Sequence, residues 1–148
     1  MESPIARCQR ILGTAPFITD LGILFQSLEP GGAKSTLELK ERHLQQDGFV
    51  HAGVQATIAD HTAGAAAATL VAEGQIVLTA EFKINLLRPA RGERLVCRSK
   101  VLKAGRTLIV VESEVSCCSA GRESLVSKAI ATIAVVQARQ GGSPSVGH

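Results

Sequence analysis

From Ala52 to Glu73 the chain is almost wholly Ala, Val, Ile, Thr and Gly, and between Ala63 and Ala72 the only polar side chain is Thr69. Such a run predicts one long helix buried on all sides, since it offers water no polar face. One stripe of it, Gly53, Ala56, Asp60, Gly64, Ala67 and then Val71, is built from small residues that allow another backbone to come close. Upstream, Ser3-Pro4 followed by Ile5, Cys8, Ile11, Leu12 and Gly13 predicts a short helix with a Ser cap, a first-position Pro and a terminating Gly. Residues 17–28 and 34–39 predict two strands joined at Pro30-Gly31-Gly32, and a polar loop, His43 to Val50, leads into the long helix. Beyond the helix the pattern is β: Ala80, Phe82, Ile84 and Leu86 alternate with Glu81, Lys83 and Asn85, the period of a half-buried strand. Arg88-Pro89-Ala90-Arg91-Gly92 turns the chain, strands over 93–103 and 107–118 meet at Ala104-Gly105, and 125–136 is the last strand, anchored by Ile130 and Ile133. The order is helix, two strands, buried helix, four antiparallel strands, an α+β arrangement of a curved sheet around one helix.

At 148 residues this is most simply one domain. A mean hydropathy of +0.19 is high, yet no stretch approaches the roughly 18 to 20 apolar residues needed to cross a bilayer. The surplus apolar surface is therefore assigned to a core plus a subunit interface, without a membrane partner. No basic-then-apolar leader opens the chain, so a cytoplasmic location is expected. Cys8, Cys97, Cys117 and Cys118 have neither zinc spacing nor disulfide density; they read as plain buried or half-buried thiols, with no metal expected. The net charge of +3, with four Phe and no Trp or Tyr, disfavours nucleic acid and fits a small anionic ligand. The tail over 138–148, ending Gly-Gly-Ser-Pro-Ser-Val-Gly-His, is expected to be flexible.

The candidate chemistry lies where the polar loop meets the helix. First-turn amides lack intrahelical partners and carry the positive end of the dipole, which suits a carbonyl oxygen gaining negative charge during attack. Asp60 is the one acidic residue between Asp47 and Glu73. A helix-start amide with one carboxylate further in points to chemistry on an acyl carbonyl. Each residue also has a plainer reading: Asp60 held by Thr57 or a backbone group, His51 as loop structure instead of a base, His43 and His61 as structural. No Gly-rich phosphate loop follows a strand and no Gly-x-Ser-x-Gly elbow is present, which removes nucleotide-binding folds and serine hydrolases.

The polar loop with Gly48, His51-x-Gly53, Asp60 seven residues on, the Arg88-Pro89 turn and the Lys103-Ala104-Gly105-Arg106-Thr107 hairpin together resemble the hotdog fold, and within it the PaaI-like acyl-CoA thioesterases. The resemblance spans about residues 14–137, leaving 1–13 as an N-terminal helix. It implies metal-free and cofactor-free hydrolysis of a coenzyme A thioester by a homodimer at least, and by a homotetramer, a dimer of dimers, as is usual in the family. It places the carboxylate base or nucleophile on Asp60 and the carbonyl-polarising amide on Ala52, with Gly53 beside it. It puts the positioning side chain on Gln45 and a supporting hydroxyl on Thr79. The family's His-Gly-Gly is His-Ala-Gly here, which keeps the amide, and its loop Asn is Gln45, one methylene longer. Arg88, Arg91, Lys103 and Arg106 are candidates for the coenzyme A phosphates, and Phe17, Phe25 and Phe49 for the acyl pocket. A non-catalytic acyl-CoA sensor on the same fold is the alternative; it would have no use for Asp60. A hydratase of this fold would want a different His and acid arrangement.

Overall fold

The computed structural model describes residues 1–139; most of the tail expected over 138–148 lies outside them. Six strands form one antiparallel sheet: β1 (Leu24–Glu29), β2 (Gly32–Glu38), β3 (Gln75–Leu86), β4 (Arg94–Ala104), β5 (Leu108–Ser119) and β6 (Arg122–Gln137). Their spatial order is β1-β2-β4-β5-β6-β3, so β1 and β3 are the edges. Helix α3 (Ala52–Ala68) lies on one face and touches every strand. This is the α+β arrangement that the pattern predicts. None of the described helices is long and apolar enough to cross a membrane.

The core sits between α3 and the sheet. Ile58, Leu37, Leu95, Ile109, Val111, Val115 and Ile133 are fully buried there, each worth roughly 1.5 to 3 kcal/mol relative to exposure. Ala63, Ala65, Ala66 and Ala67 are buried beside them and bring the helix backbone close to the strands. At that range one strand hydroxyl reaches the helix main chain and another reaches a hydroxyl on the helix. Ser113 Oγ donates to the Ala59 carbonyl at 2.8 Å and accepts from Ser99 Oγ at 2.6 Å. Thr62 Oγ1 donates to the Ile58 carbonyl at 2.6 Å and accepts from Ser35 Oγ at 2.5 Å. Two pairs of buried hydroxyls thus fix α3 on the sheet at the residues just before Asp60. Cys8 and Cys97 are buried, and burial pushes both thiols up to about 11, which keeps them neutral.

Four expectations are corrected. The strand expected over 17–28 divides into helix α2 (Pro16–Leu21) and β1. Pro16 supplies a helix-ready φ at the first position, and Gly22 ends the helix in the left-handed region at φ 94°. The long helix stops at Ala68 and not Glu73, because Thr69 Oγ1 turns back to the Ala66 carbonyl at 2.7 Å and accepts from the Gly31 amide at 2.8 Å. It is not buried all round either: Ala56, Thr57, Asp60, His61 and Gly64 form a half-open stripe. Ile133 anchors β6, while Ile130 faces outward at 39% exposure. Helix α1 (Pro4–Leu12), capped by Ser3, lies against the far end of α3, with Arg7 donating to the Val71 carbonyl at 3.0 Å.

Ser113→Ala should destabilise the protein by about 1 to 3 kcal/mol, because it leaves the buried Ser99 hydroxyl short of a partner. Urea unfolding should show a lower midpoint at unchanged slope; an unaltered midpoint would mean that the hydroxyl pair does not fix α3.

Candidate active site

A short 3-10 turn, Glu41–His43, begins the polar loop and hangs it on a buried imidazole. His43 Nδ1 accepts from the Lys40 amide at 2.9 Å, so Nε2 carries the proton and donates to the Leu21 carbonyl at 2.8 Å. The His43 carbonyl accepts from the His51 amide at 2.9 Å, and Val50 donates to the Ala90 carbonyl at 2.8 Å. His43 is thereby structural, tying α2, the loop and the basic turn after β3 together. Inside the loop, the Gly48 amide donates to the Gln45 carbonyl at 3.1 Å, a closure that needs Gly48 at φ 85°. Gln45 Oε1 accepts from the Asp47 amide.

The loop delivers the chain to the start of α3 with His51 as N-cap. His51 Nδ1 accepts from the Gly53 amide at 2.8 Å. A Cβ at position 53 would stand 3.0 Å from that nitrogen, so Gly53 is what lets the ring come close. Among the described residues the Ala52 amide makes no hydrogen bond. It opens on a cleft of about 490 Å³ lined by Gln45, Gln46, Phe49, His51, Ala52, Gln55, Leu86, Leu87 and Arg88, among others. Arg91 lies beside this cleft, its guanidinium 5.7 Å from the Phe49 ring centroid.

Asp60 stands on the half-open stripe of α3, in a second groove of about 440 Å³ with Ala15, Phe17, Ile18, Ala56, Thr57, His61 and Phe82. Thr79 Oγ1 donates to Asp60 Oδ1 at 2.7 Å, at the bulge between Thr79 and Glu81 where β3 slips its register against β6. Thr57 donates instead to the Gly53 carbonyl at 2.8 Å, which removes the reading in which Thr57 holds Asp60. His61 stacks on Phe25, with ring centroids 5.4 Å apart, and its Nε2 lies 3.0 Å from the Leu12 carbonyl. Burial pushes the His61 pKa below the usual histidine value.

The structure therefore gathers Gln45, His51, Ala52, Gly53 and Arg88, with Phe49 and Arg91, at the start of α3, and Asp60 with Thr79 and Phe17 further along. Phe25 is turned to His61 and does not line the groove. Lys103 and Arg106 do not join Arg88 within one chain; Arg106 borders a separate cavity with Leu70, Gln75 and Val135. Gln55 is a residue that the sequence reading missed. It is 3% exposed and lines the helix-start cleft, and its one sequence signal is a lone amide side chain between Gly53 and Thr57 in an apolar stretch. No group of three or more His, Cys, Asp or Glu among the described residues is placed to hold a metal ion.

Residues 47–121 match the thioesterase superfamily. A protein named as an esterase from Saccharolobus solfataricus is 36% identical over 115 residues, covering 77% of this chain and 81% of its own. The 1,4-dihydroxy-2-naphthoyl-CoA hydrolase of Listeria monocytogenes is 28% identical, covering 81% of this chain and 95% of its own. A solved thioesterase family protein from Silicibacter pomeroyi superposes with a TM-score of 0.90 at 33% identity, covering 92% of this chain and all of that one. The chain belongs to the thioesterase superfamily and has its hotdog fold. Its class is thus that of a thioester hydrolase.

Because the His51 ring serves as a helix cap, His51→Ala should cost about 0.5 to 2 kcal/mol of stability. His51→Asn, which restores a side-chain acceptor, should recover both stability and turnover. If the Asn variant is folded yet inactive, the imidazole itself takes part in the chemistry.

Proposed function

We propose that this chain is a PaaI-like acyl-CoA thioesterase whose active site is shared between two copies. The observation that carries the reading is the pairing of a Thr79-held carboxylate at Asp60 with an unpartnered amide at Ala52 on the same helix. The thioester carbonyl accepts from the Ala52 amide at the positive end of α3. Asp60 removes a proton from water as the water oxygen attacks the carbonyl carbon, the C–S bond breaks, and the thiolate of coenzyme A takes that proton back. In the alternative route Asp60 attacks first, and water hydrolyses the mixed anhydride; both release a free acid and the coenzyme A thiol. Thr79 fixes one carboxylate oxygen and leaves the other for the reacting atom. With Gln45 Oε1 engaged by the Asp47 amide, its NH2 is left for the substrate. Arg88 and Arg91 beside the cleft suit the phosphates of coenzyme A. The substrate named for the Listeria monocytogenes relative supports an acyl-CoA here.

Two copies are needed because of distance. Asp60 lies eight positions after Ala52, about 12 Å along the helix axis, and a donor must come within about 3 Å of the carbonyl oxygen. Two antiparallel α3 helices set the start of one beside the middle of the other. Each site then takes Ala52 and Gln45 from one chain and Asp60 and Thr79 from its partner. The half-open stripe suits this contact, since a Cβ at Gly64 would meet nothing within 4 Å. Edge strand β3 continues the apolar surface with Ile76, Leu78 and Leu86 exposed at 45%, 56% and 51%, a long unpaired edge of the kind monomers avoid.

Asp60→Asn should lower turnover by about 10² or more while the fold is kept, read as thiol release from a panel of acetyl-, hexanoyl-, decanoyl- and phenylacetyl-CoA. Near wild-type turnover would make Asp60 structural, and a wild type that releases no thiol from any of them would favour the sensor. Mixing inactive Asp60→Asn with inactive Ala52→Pro, which deletes the donor, should restore activity after subunit exchange, because each mixed dimer holds one intact site. Proven exchange without recovery places the site within a single chain.

A further inference from the structure

Among the described residues Gln55, on α3 itself, is the one buried carboxamide, and its environment is unusual. The residue is 3% exposed, and its Oε1 is fully enclosed with no hydrogen-bond partner. Its amide nitrogen donates to no protein group among the described residues, and the side chain lines the helix-start cleft. A buried polar group left unpaired costs the desolvation of that group, and an apolar side chain of like shape would fill the same space without that cost. Position 55 is three residues beyond Ala52, and side chains three apart share one face of a helix. The carboxamide and the free Ala52 amide thus address the same cleft, one from the side chain and one from the main chain.

We propose that Gln55 Nε2 is the second donor to the thioester oxygen, completing with the Ala52 amide a two-donor site for the charge that develops there. This rests on the thioesterase reading above. Nε2, which meets no protein acceptor among the described residues, gains its partner with the substrate, and that bond is strongest when the carbonyl oxygen is most negative; the enclosed Oε1 is an acceptor and stays unpaired. A donor of this kind acts on the transition state more than on binding, so its loss falls on kcat and leaves KM nearly unchanged. The folded protein bears the opposite effect, since removing an orphaned amide relieves the core.

Gln55→Met keeps length and removes both polar atoms. The expected result is a thermal midpoint equal to or above wild type, with kcat on an acyl-CoA down by about 10- to 1000-fold and KM within threefold. Gln55→Glu, which puts negative charge where the donor stood, should lose at least as much turnover. A Met variant with kcat within twofold of wild type overturns the proposal. So does a variant whose KM rises while kcat holds, which would make Gln55 a ground-state contact to coenzyme A. If neither variant folds, Gln55 is a structural residue and the proposal fails. Failure of the thioesterase reading shows differently, as a wild type that releases no thiol from any acyl-CoA, and would overturn both.

Discussion

Everything in this molecule depends on how closely α3 lies on the sheet. Alanines at 63 and 65–67 remove the side-chain volume that normally separates a helix from strands, and two strand hydroxyls then reach α3: Ser113 the Ala59 carbonyl, and Ser35 the hydroxyl of Thr62. Hydrophobic burial alone would let the helix slide or rotate at little cost, because it is non-directional. Hydrogen bonds from these strand hydroxyls to particular helix atoms are directional, so they set which side of α3 faces the strands. The side left over carries Asp60. Its orientation is a by-product of core packing, delivered before any substrate arrives.

The loop before α3 is organised by a separate device. His43 is buried and bonded on both ring nitrogens, and its carbonyl holds the His51 amide. That linkage places the cap, and the cap fixes which first-turn amide stays free: Gly53 is taken by the His51 ring, and Ala52 is not. Which amide stays free at the start of the helix is thus decided by a side chain two residues away from the amide it occupies. Having Ala52 at the first glycine of a His-Gly-Gly pattern leaves this selection intact, because it is position 53 that lies within close reach of the ring.

Much of this could be read from residue pattern. The alternation in β3, the turn residues and the apolar run of α3 identified the sheet, the helix and the α+β class, and Asp60 stood out by isolation. Pro16 and Gly22 are the marks of helix α2, but Phe17, Ile18 and Leu21 also fit a strand, and six residues are too few for periodicity to decide. The end of α3 was hidden because Thr69 terminates it by a bond to Gly31, 38 residues away. Thr79 was placed by family resemblance alone; a bulge in β3 puts it against Asp60, and no local pattern encodes that. Gln55 went unnoticed because a single Gln in a helix is ordinary until its surroundings are known to be dry.

The wall of the Asp60 groove comes from a different part of the chain than its floor. Ala15, Phe17 and Ile18 form it, and they are held to α3 chiefly through the contact between His61 and the Leu12 carbonyl and, at the far end, through Arg7 and the Val71 carbonyl. Leu12 contributes a main-chain oxygen, which any residue at that position supplies, whereas Arg7 contributes its guanidinium. Side chains at 15 and 17 can therefore change while the Leu12 attachment persists, and Arg7, Cys8 and Ile18 carry the constraint on the segment. The groove thus has a wall supplied by one short N-terminal segment and a carboxylate held separately by α3 and β3, so the shape of the wall and the position of Asp60 are set by different parts of the sequence.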